Sequence, residues 1–354
     1  MENVLGHKLP EDSGEGDMTW FCRLNPFEQQ ETRRQAFYKR AHWPDLPDGQ
    51  WSKRPGYFYP HILPEGHQEK AFFDPSVMGY LEANDIAFHA ESLNLRSSQA
   101  CCFNFLYPLR QDLDLATRVL KPWLSDLDRV SEIEFEYTGP EAVTKWLGEP
   151  PGGKRGQNRT SADAVIWWES RDGRPKVTLL EWKYTEKEFG SCGGYGSDGN
   201  RQKARCRTLD TRLIESTRDC SLALGDTQHN RRRYWEHMQE AGVRFQEFVL
   251  KGCLFLGPLY QLMRLQLLAS WLASHTQNDV EVAVACFKGN SDLMRPPRYL
   301  RHLDAYLPSA WQSLLAEPNR FRVVFVDDLM AHCDSLPDVA RSPWRTYLRD
   351  RYGV

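Results

Sequence analysis

Residues 160–186 read TSADAVIWWESRDGRPKVTLLEWKYTE, and the reading of the fold turns on this stretch. Two apolar runs flank Asp172-Gly173, a dipeptide that favours a tight turn between strands. Asp163 opens the first run, and Glu181 and Lys183 close the second with one residue between them. Side chains alternate along a strand, so Glu181 and Lys183 share a face while Trp182 turns to the other. A carboxylate beside an ammonium at the end of an apolar strand can bind a divalent cation and hold a water near it. Mg2+ prefers carboxylate and carbonyl oxygens and retains several waters. A second carboxylate from the neighbouring strand would complete the protein's share of ligands, and Asp163 is the candidate.

Loop length decides whether these acids can meet, because opposed residues on antiparallel strands share a face. A two-residue Asp172-Gly173 loop would pair Arg171 with Arg174 and set Asp163 opposite Trp182, on the wrong face. A three-residue loop, Arg171-Asp172-Gly173, pairs Ser170 with Arg174 and sets Asp163 opposite Glu181. It also puts glycine at the left-handed position which that loop type requires. The three-residue loop, or an equivalent bulge, is expected. The bland alternative is a surface hairpin whose charges only solvate its ends, and the apolar flanks argue against it.

Outward from the hairpin, Val130 to Tyr137 (VSEIEFEY) alternates, with Ile133, Phe135 and Tyr137 expected on one face and Glu132, Glu134 and Glu136 on an acidic outer face. Upstream, Ser97 and Ser98 can cap a helix that stops near Pro108, and a second helix is read from Asp112 to Trp123. Glu141 to Leu147 suggests a short helix, followed by a basic loop, PPGGKRGQNR. Downstream, Phe189 to about Asn230 is irregular. Helices are read over Arg231 to Phe248, Leu259 to Leu272, around Tyr299 to Leu315, and over Pro343 to Tyr352. Strands are read at Asp279 to Phe287 and Arg322 to Val326. This order implies an α/β fold with a mixed central sheet flanked by helices. Residues 1–17 are expected to be disordered, and 18–96 form an aromatic-rich N-terminal extension packed on the core. The core itself is placed at 97–335, with a C-terminal helix in 336–354.

The 354 residues, 41% hydrophobic and 26% charged, suffice for a sizeable core. The longest apolar candidate, Phe255 to Ala273, is interrupted by Gln261, Arg264 and Gln266, so no membrane span is expected. The N-terminus lacks the basic start and apolar run of a signal peptide, so a cytoplasmic location is the expectation. With a net charge of −3, the chain is no polycation, and nucleic acid would need a local basic surface. The nine cysteines suggest reduced thiols.

These residues resemble a family. SADAVIWW…LLEWKYTE is similar to the core of the PD-(D/E)xK nuclease superfamily, the restriction-endonuclease-like fold. SSQACCFNF at Ser97 to Phe105, EFEY at Glu134 to Tyr137 and EWKYTE at Glu181 to Glu186 resemble a bacterial restriction-endonuclease-like group. The resemblance spans roughly Tyr59 to Val326. It implies a metal-dependent nuclease that hydrolyses phosphodiester bonds, with DNA as the expected substrate and endonucleolytic action. Asp163 and Glu181 would be metal-binding carboxylates, with the backbone carbonyl of Trp182 a further ligand. Lys183 would orient or activate the attacking water and stabilise the transition state. The metal would be Mg2+, with Mn2+ a substitute. Glu136 is the candidate for an additional upstream acid, ahead of Glu134. Gln261, after Tyr260, fits the position of a glutamine carried by several branches on the following helix. The superfamily's proline before the first acid is replaced by Ala162. Two-strand cleavage would need two active sites, by a homodimer or by successive nicks.

Other features compete. Cys192, Cys206 and Cys220 recur every fourteen residues, with His229 beyond, but no close cysteine pair is present and free thiols are the preferred reading. Arg201 to Arg233 holds nine Lys/Arg against four Asp/Glu, either a phosphate-contacting loop or a solvated one. Asp327-Asp328 is read as a capped strand end, and His89 as a structural histidine. The alternatives to the nuclease are a catalytically silent DNA-binding or assembly module of the same fold and an enzyme acting on RNA.

Overall fold

The computed structural model describes residues 18–88, 91–151, 159–208, 210, 220–224, 231–248 and 252–354. The readings of 1–17, of His89 and His229 and of most of the basic loop after Pro151 lie outside the described residues. Five strands form one sheet in chain order: β1 (Leu127–Tyr137), β2 (Ala162–Ser170), β3 (Pro175–Trp182), β4 (Asp279–Cys286) and β5 (Phe321–Phe325). The first three run antiparallel as a meander, and β3, β4 and β5 run parallel. The helices that frame the sheet are α1 (Pro26–His42), α2 (Ser98–Gln111), α3 (Leu113–Val119), α4 (Glu141–Leu147), α5 (Leu259–His275), α6 (Val326–Ser335) and α7 (Pro343–Tyr352). This is the mixed, helix-flanked sheet expected of a restriction-endonuclease-like fold.

The central strands read as continuous apolar runs because both of their faces are covered. Along β4, Val280, Val282 and Val284 join one core with Val177, Leu179 and, from α5, Leu262 and Leu268. Ala283 and Ala285 join the other, with Ile166, Leu180, Trp182 and, from α2, Phe103, Phe105 and Leu106. The hairpin between β2 and β3 has the three-residue loop. Ser170 N–H donates to Arg174 O at 3.0 Å, Gly173 N–H donates to Ser170 O at 2.8 Å, and Gly173 takes φ +78°. Ala164 pairs with Leu180, so the next step along the hairpin sets Asp163 against Glu181.

Other expectations change in detail. Pro108 lies inside α2, whose N-cap is Ser97. The helix from Asp112 is only α3, capped by the Asp112 carboxylate. The helix expected over Arg231 to Phe248 is broken into Tyr234–His237 and the 3-10 turn Phe245–Glu247, with Gly242 between them at φ +72°. The one expected around Tyr299 reduces to the turn Arg298–Leu300 and the helix Leu307–Ser313. Asp327 and Asp328 sit in the first turn of α6, where Asp327 accepts the Lys288 N–H at 2.8 Å.

The β1 strand departs most from simple alternation. Tyr137 packs edge-on against Trp167, on the α5 side, whereas Phe135 stacks on Phe103 of α2. The cause is Glu136, a non-glycine residue at φ +48°, which turns the strand. The acidic face is no outer face at its end, because Glu136 is buried at 2% exposure.

The two ends of the chain interlock behind the sheet. Arg351 of α7 is fully buried and donates to Ala71 O at 2.6 Å and to Gln35 Oε1 of α1 at 3.2 Å. Gln35 donates in turn to Tyr184 Oη at 2.9 Å, and Tyr184 donates to Glu31 at 2.6 Å. The residue after Lys183 is thereby clamped by both termini.

Candidate active site

The ends of β1, β2 and β3 converge on a polar cavity of about 240 Å³, lined among others by Glu136, Asp163, Glu181, Trp182, Lys183 and Gln261. Register brings the three acids to one level. Phe135 pairs with Ala164 and Tyr137 with Ala162, which brackets Glu136 against Asp163, while Asp163 stands against Glu181. Two irregularities in β1, between Leu127 and Arg129 and between Val130 and Glu132, advance the pairing. In the starting register of Leu127 with Ser170, Glu136 would fall opposite Ser161 instead.

Asp163 accepts the Trp182 backbone N–H at 2.6 Å, a cross-strand bond that fixes its carboxylate at the end of β3. Burial holds Asp163 well above the usual carboxylate range, and the charges of Glu181 and Glu136 add to that. Glu181 is also raised by burial, against which the Lys183 ammonium works. Lys183 Nζ lies 2.8 Å from Glu181 Oε1 and over the Phe189 ring. Burial disfavours its charge, yet Glu181, Glu186 and Asp163 outweigh it and hold Lys183 above the ordinary lysine range. Trp182 turns its indole to the opposite face, against Phe105 and Trp123.

Gln261, in the first turn of α5, donates to Glu181 Oε1 at 2.5 Å and accepts the Gly190 N–H at 2.7 Å. Every predicted site residue therefore lines the same cavity. Others went unassigned in the sequence. Gln99, the last residue of the SSQ triplet, donates to Glu136 Oε1 at 2.8 Å from the first turn of α2. Ser98 donates to Glu186, which also accepts the Tyr184 N–H at 2.9 Å. With Ser97 capping the helix, each residue of the triplet has a separate task. Arg264, three residues after Gln261 and so on the same helical face, also lines the cavity. It donates to Thr160 Oγ1 at 3.0 Å and approaches buried Glu149 at 3.6 Å. That spacing was the available signal for Arg264.

The donor set fits a hard divalent cation. Three carboxylates meet one ammonium in a buried polar space, so negative charge is in excess and adds to the burial that raises Asp163. Among the described residues no three His, Cys, Asp or Glu side chains stand together as a metal-holding group. An open site of one or two carboxylates, with waters and substrate oxygens for the rest, is the arrangement Mg2+ favours.

The family model described as "Restriction Endonuclease associating with ARP" (REase-ARP) matches residues 32–353. The chain belongs to this family. REase-ARP membership covers the sheet, the cavity and both interlocked ends, and it makes this a nuclease-family chain with nucleic acid as the substrate class. No curated protein and no solved structure matches the REase-ARP chain. Among its described residues no helix is long and apolar enough to cross a membrane.

Proposed function

We propose that the chain is a Mg2+-dependent endonuclease that hydrolyses phosphodiester bonds in DNA. The observation that carries this reading is the row of Glu136, Asp163 and Glu181 on three adjacent strands, with the Lys183 ammonium on Glu181, in one polar cavity. Asp163 and Glu181 would hold the metal, with the Trp182 carbonyl as a further oxygen and Mn2+ as a substitute. The bound metal supplies charge neutralisation at the phosphate and a more acidic water. Lys183 acts as an ammonium, donating to the attacking water or to a phosphate oxygen. Gln261 holds Glu181 in place, and Gln99 holds Glu136. Arg159 and Arg264, both lining the cavity, provide cationic partners for backbone phosphates, contacts that position a strand without reading its sequence. Cleavage of both strands would require two copies of the site, hence a homodimer or successive nicks. The family's description extends the reading to association with an ARP partner.

The test is incubation of plasmid and linear DNA with the full chain in Mg2+, in EDTA, and as Asp163→Ala or Lys183→Ala. Cleavage is expected in Mg2+, with its loss in EDTA and a drop of at least about 100-fold in each variant. Persistence in either variant would refute the assignment. The same assay on RNA decides the substrate.

A further inference from the structure

Beside the first turn of α5 lies a second cavity, of about 400 Å³, that the active-site chemistry does not use. Tyr195, Arg207 and Tyr299 line it together with Pro258, Pro297 and Glu188. Flat ring faces predominate, and the Arg207 guanidinium lies on one of them, with Cζ 5.6 Å from the centre of the Tyr195 ring. Arg207 Nε also donates to Tyr195 Oη at 2.5 Å, which fixes ring and guanidinium relative to each other.

Tyr299 is held as firmly. It belongs to the 3-10 turn Arg298–Leu300 and is 37% exposed, yet its Oη accepts the Gly257 N–H at 3.0 Å. That approach needs a glycine, because a Cβ at position 257 would sit 2.8 Å from the Tyr299 oxygen. A ring whose hydroxyl is tied down while much of its surface stays open loses little freedom when something flat stacks on it. Tyr195 rides on the short helix Gly193–Gly196, which Cys192 fastens by donating its N–H to Leu256 O at 3.1 Å. Both tyrosines are therefore anchored to adjacent residues, Leu256 and Gly257.

The same segment leads into the active site. Pro258 stands three residues before Gln261, about 5 Å along the helix, and Gln261 donates to Glu181. Glu188 stands two residues before Gly190, whose N–H donates to Gln261 at 2.7 Å. The cavity and the row of acids thus flank the first turn of α5.

We propose that this cavity takes an unpaired nucleobase of the substrate strand, stacked on the Tyr299 or Tyr195 ring, with Arg207 on the adjoining phosphate. The assignment rests on the nuclease reading for the course of the strand past Asp163 and Glu181. Every base has a face that can stack on an aromatic side chain, and a guanidinium adds both phosphate contact and attraction to the ring. Glu188 can accept an exocyclic amine of the base. In a perfect duplex each base face is covered by its neighbours, so a base reaches the cavity only from a single strand or after extrusion from the stack. The site thereby favours DNA that is single-stranded or distorted close to the cut.

The full chain is titrated in EDTA with a single-stranded oligonucleotide, with the perfectly paired duplex, and with the same duplex carrying a central mismatch. The single strand is expected to bind at least about ten-fold more tightly than the perfect duplex. A mismatched duplex that binds like the single strand supports the proposal with extrusion as the source of the base, and one that binds like the perfect duplex supports it with a single strand as the source. Tyr299→Ala is expected to weaken the single strand about ten-fold and to leave the perfect duplex unchanged, while Tyr299→Phe, which keeps the ring, binds like the parent chain. Arg207→Ala should reduce the slope of log affinity against log salt by about one. Photo-crosslinking of a single strand that carries 5-iododeoxyuridine locates the stack directly, with the adduct expected on Tyr299 or Tyr195. Unchanged single-strand affinity in Tyr299→Ala overturns the proposal, as does an equal loss on both DNAs or an adduct confined to other residues. Cleavage in Mg2+ judges the nuclease reading separately. Stacking without cleavage removes the nuclease and keeps the cavity, and cleavage with no effect of Tyr299→Ala on binding does the reverse.

Discussion

Glu136 shows what a single residue can settle. A glutamate at φ +48° is held in the left-handed region at a cost of about 1–3 kcal/mol, and such strain persists only where the surroundings impose it. Here the Gln99 amide holds its side chain, and the pairing of Phe135 with Ala164 and of Tyr137 with Ala162 holds its backbone. Asparagine tolerates that backbone conformation and would remove a buried carboxylate from beside two others. Glu136→Asn is therefore expected to leave thermal stability unchanged or to raise it by about 1 kcal/mol, while cleavage falls at least about ten-fold. A thermal melt together with a cleavage assay checks it, and a loss of more than about 1 kcal/mol would show the strain argument to be wrong. Asp163, Glu181 and Lys183 were legible because their charges interrupt apolar strand ends. Gln99 was not, since its partner lies on another element and no spacing along the chain predicts it.

At the scale of elements, the hairpin governs the site from a distance. Gly173 takes φ +78° in open space, so Gly173→Ala should cost about 1 kcal/mol through backbone strain alone. The turn lies about 20 Å along the strand from Asp163, so cleavage per folded molecule should be unchanged. A melt that falls as stated with an unaltered turnover rate is the expected pair. Lost turnover would mean that the register had slipped, because a one-residue slip moves Asp163 to the wrong face. The loop type was readable from Asp172-Gly173 and the faces that each register demands. The pairing of β1 with β2 was not, since its two irregularities carry no residue signature and yet decide that Glu136 meets Asp163 rather than Ser161.

At the scale of the molecule, Leu63, Phe72 and Leu81 share one hydrophobic core with Phe103 of α2, Phe135 of β1 and Trp182 of β3. His61 is fully buried, stacked on Trp20 at 5.6 Å, and neither ring nitrogen has a hydrogen-bond partner. Burial, with Arg96 and Lys39 nearby, holds its pKa well below the ordinary 6.5, so it stays neutral while the unfolded chain takes up a proton. Stability is then fully present above about pH 6.5 and declines as the pH falls below it. His61→Phe keeps the stacking and removes the titration, so its stability should change less between pH 7 and 5 than that of the parent chain. Parallel curves in a denaturant titration at those pH values would exclude His61 as the cause. The sequence by itself determined the mixed sheet, the hairpin register and the charged trio of Asp163, Glu181 and Lys183 at the strand ends, because strand period and turn chemistry act over a few residues. Only the tertiary structure decided the bond of Gln99 to Glu136 and the clamp of α1 and α7 on Tyr184. Those depend on contacts between segments tens to hundreds of residues apart, where no local period carries information.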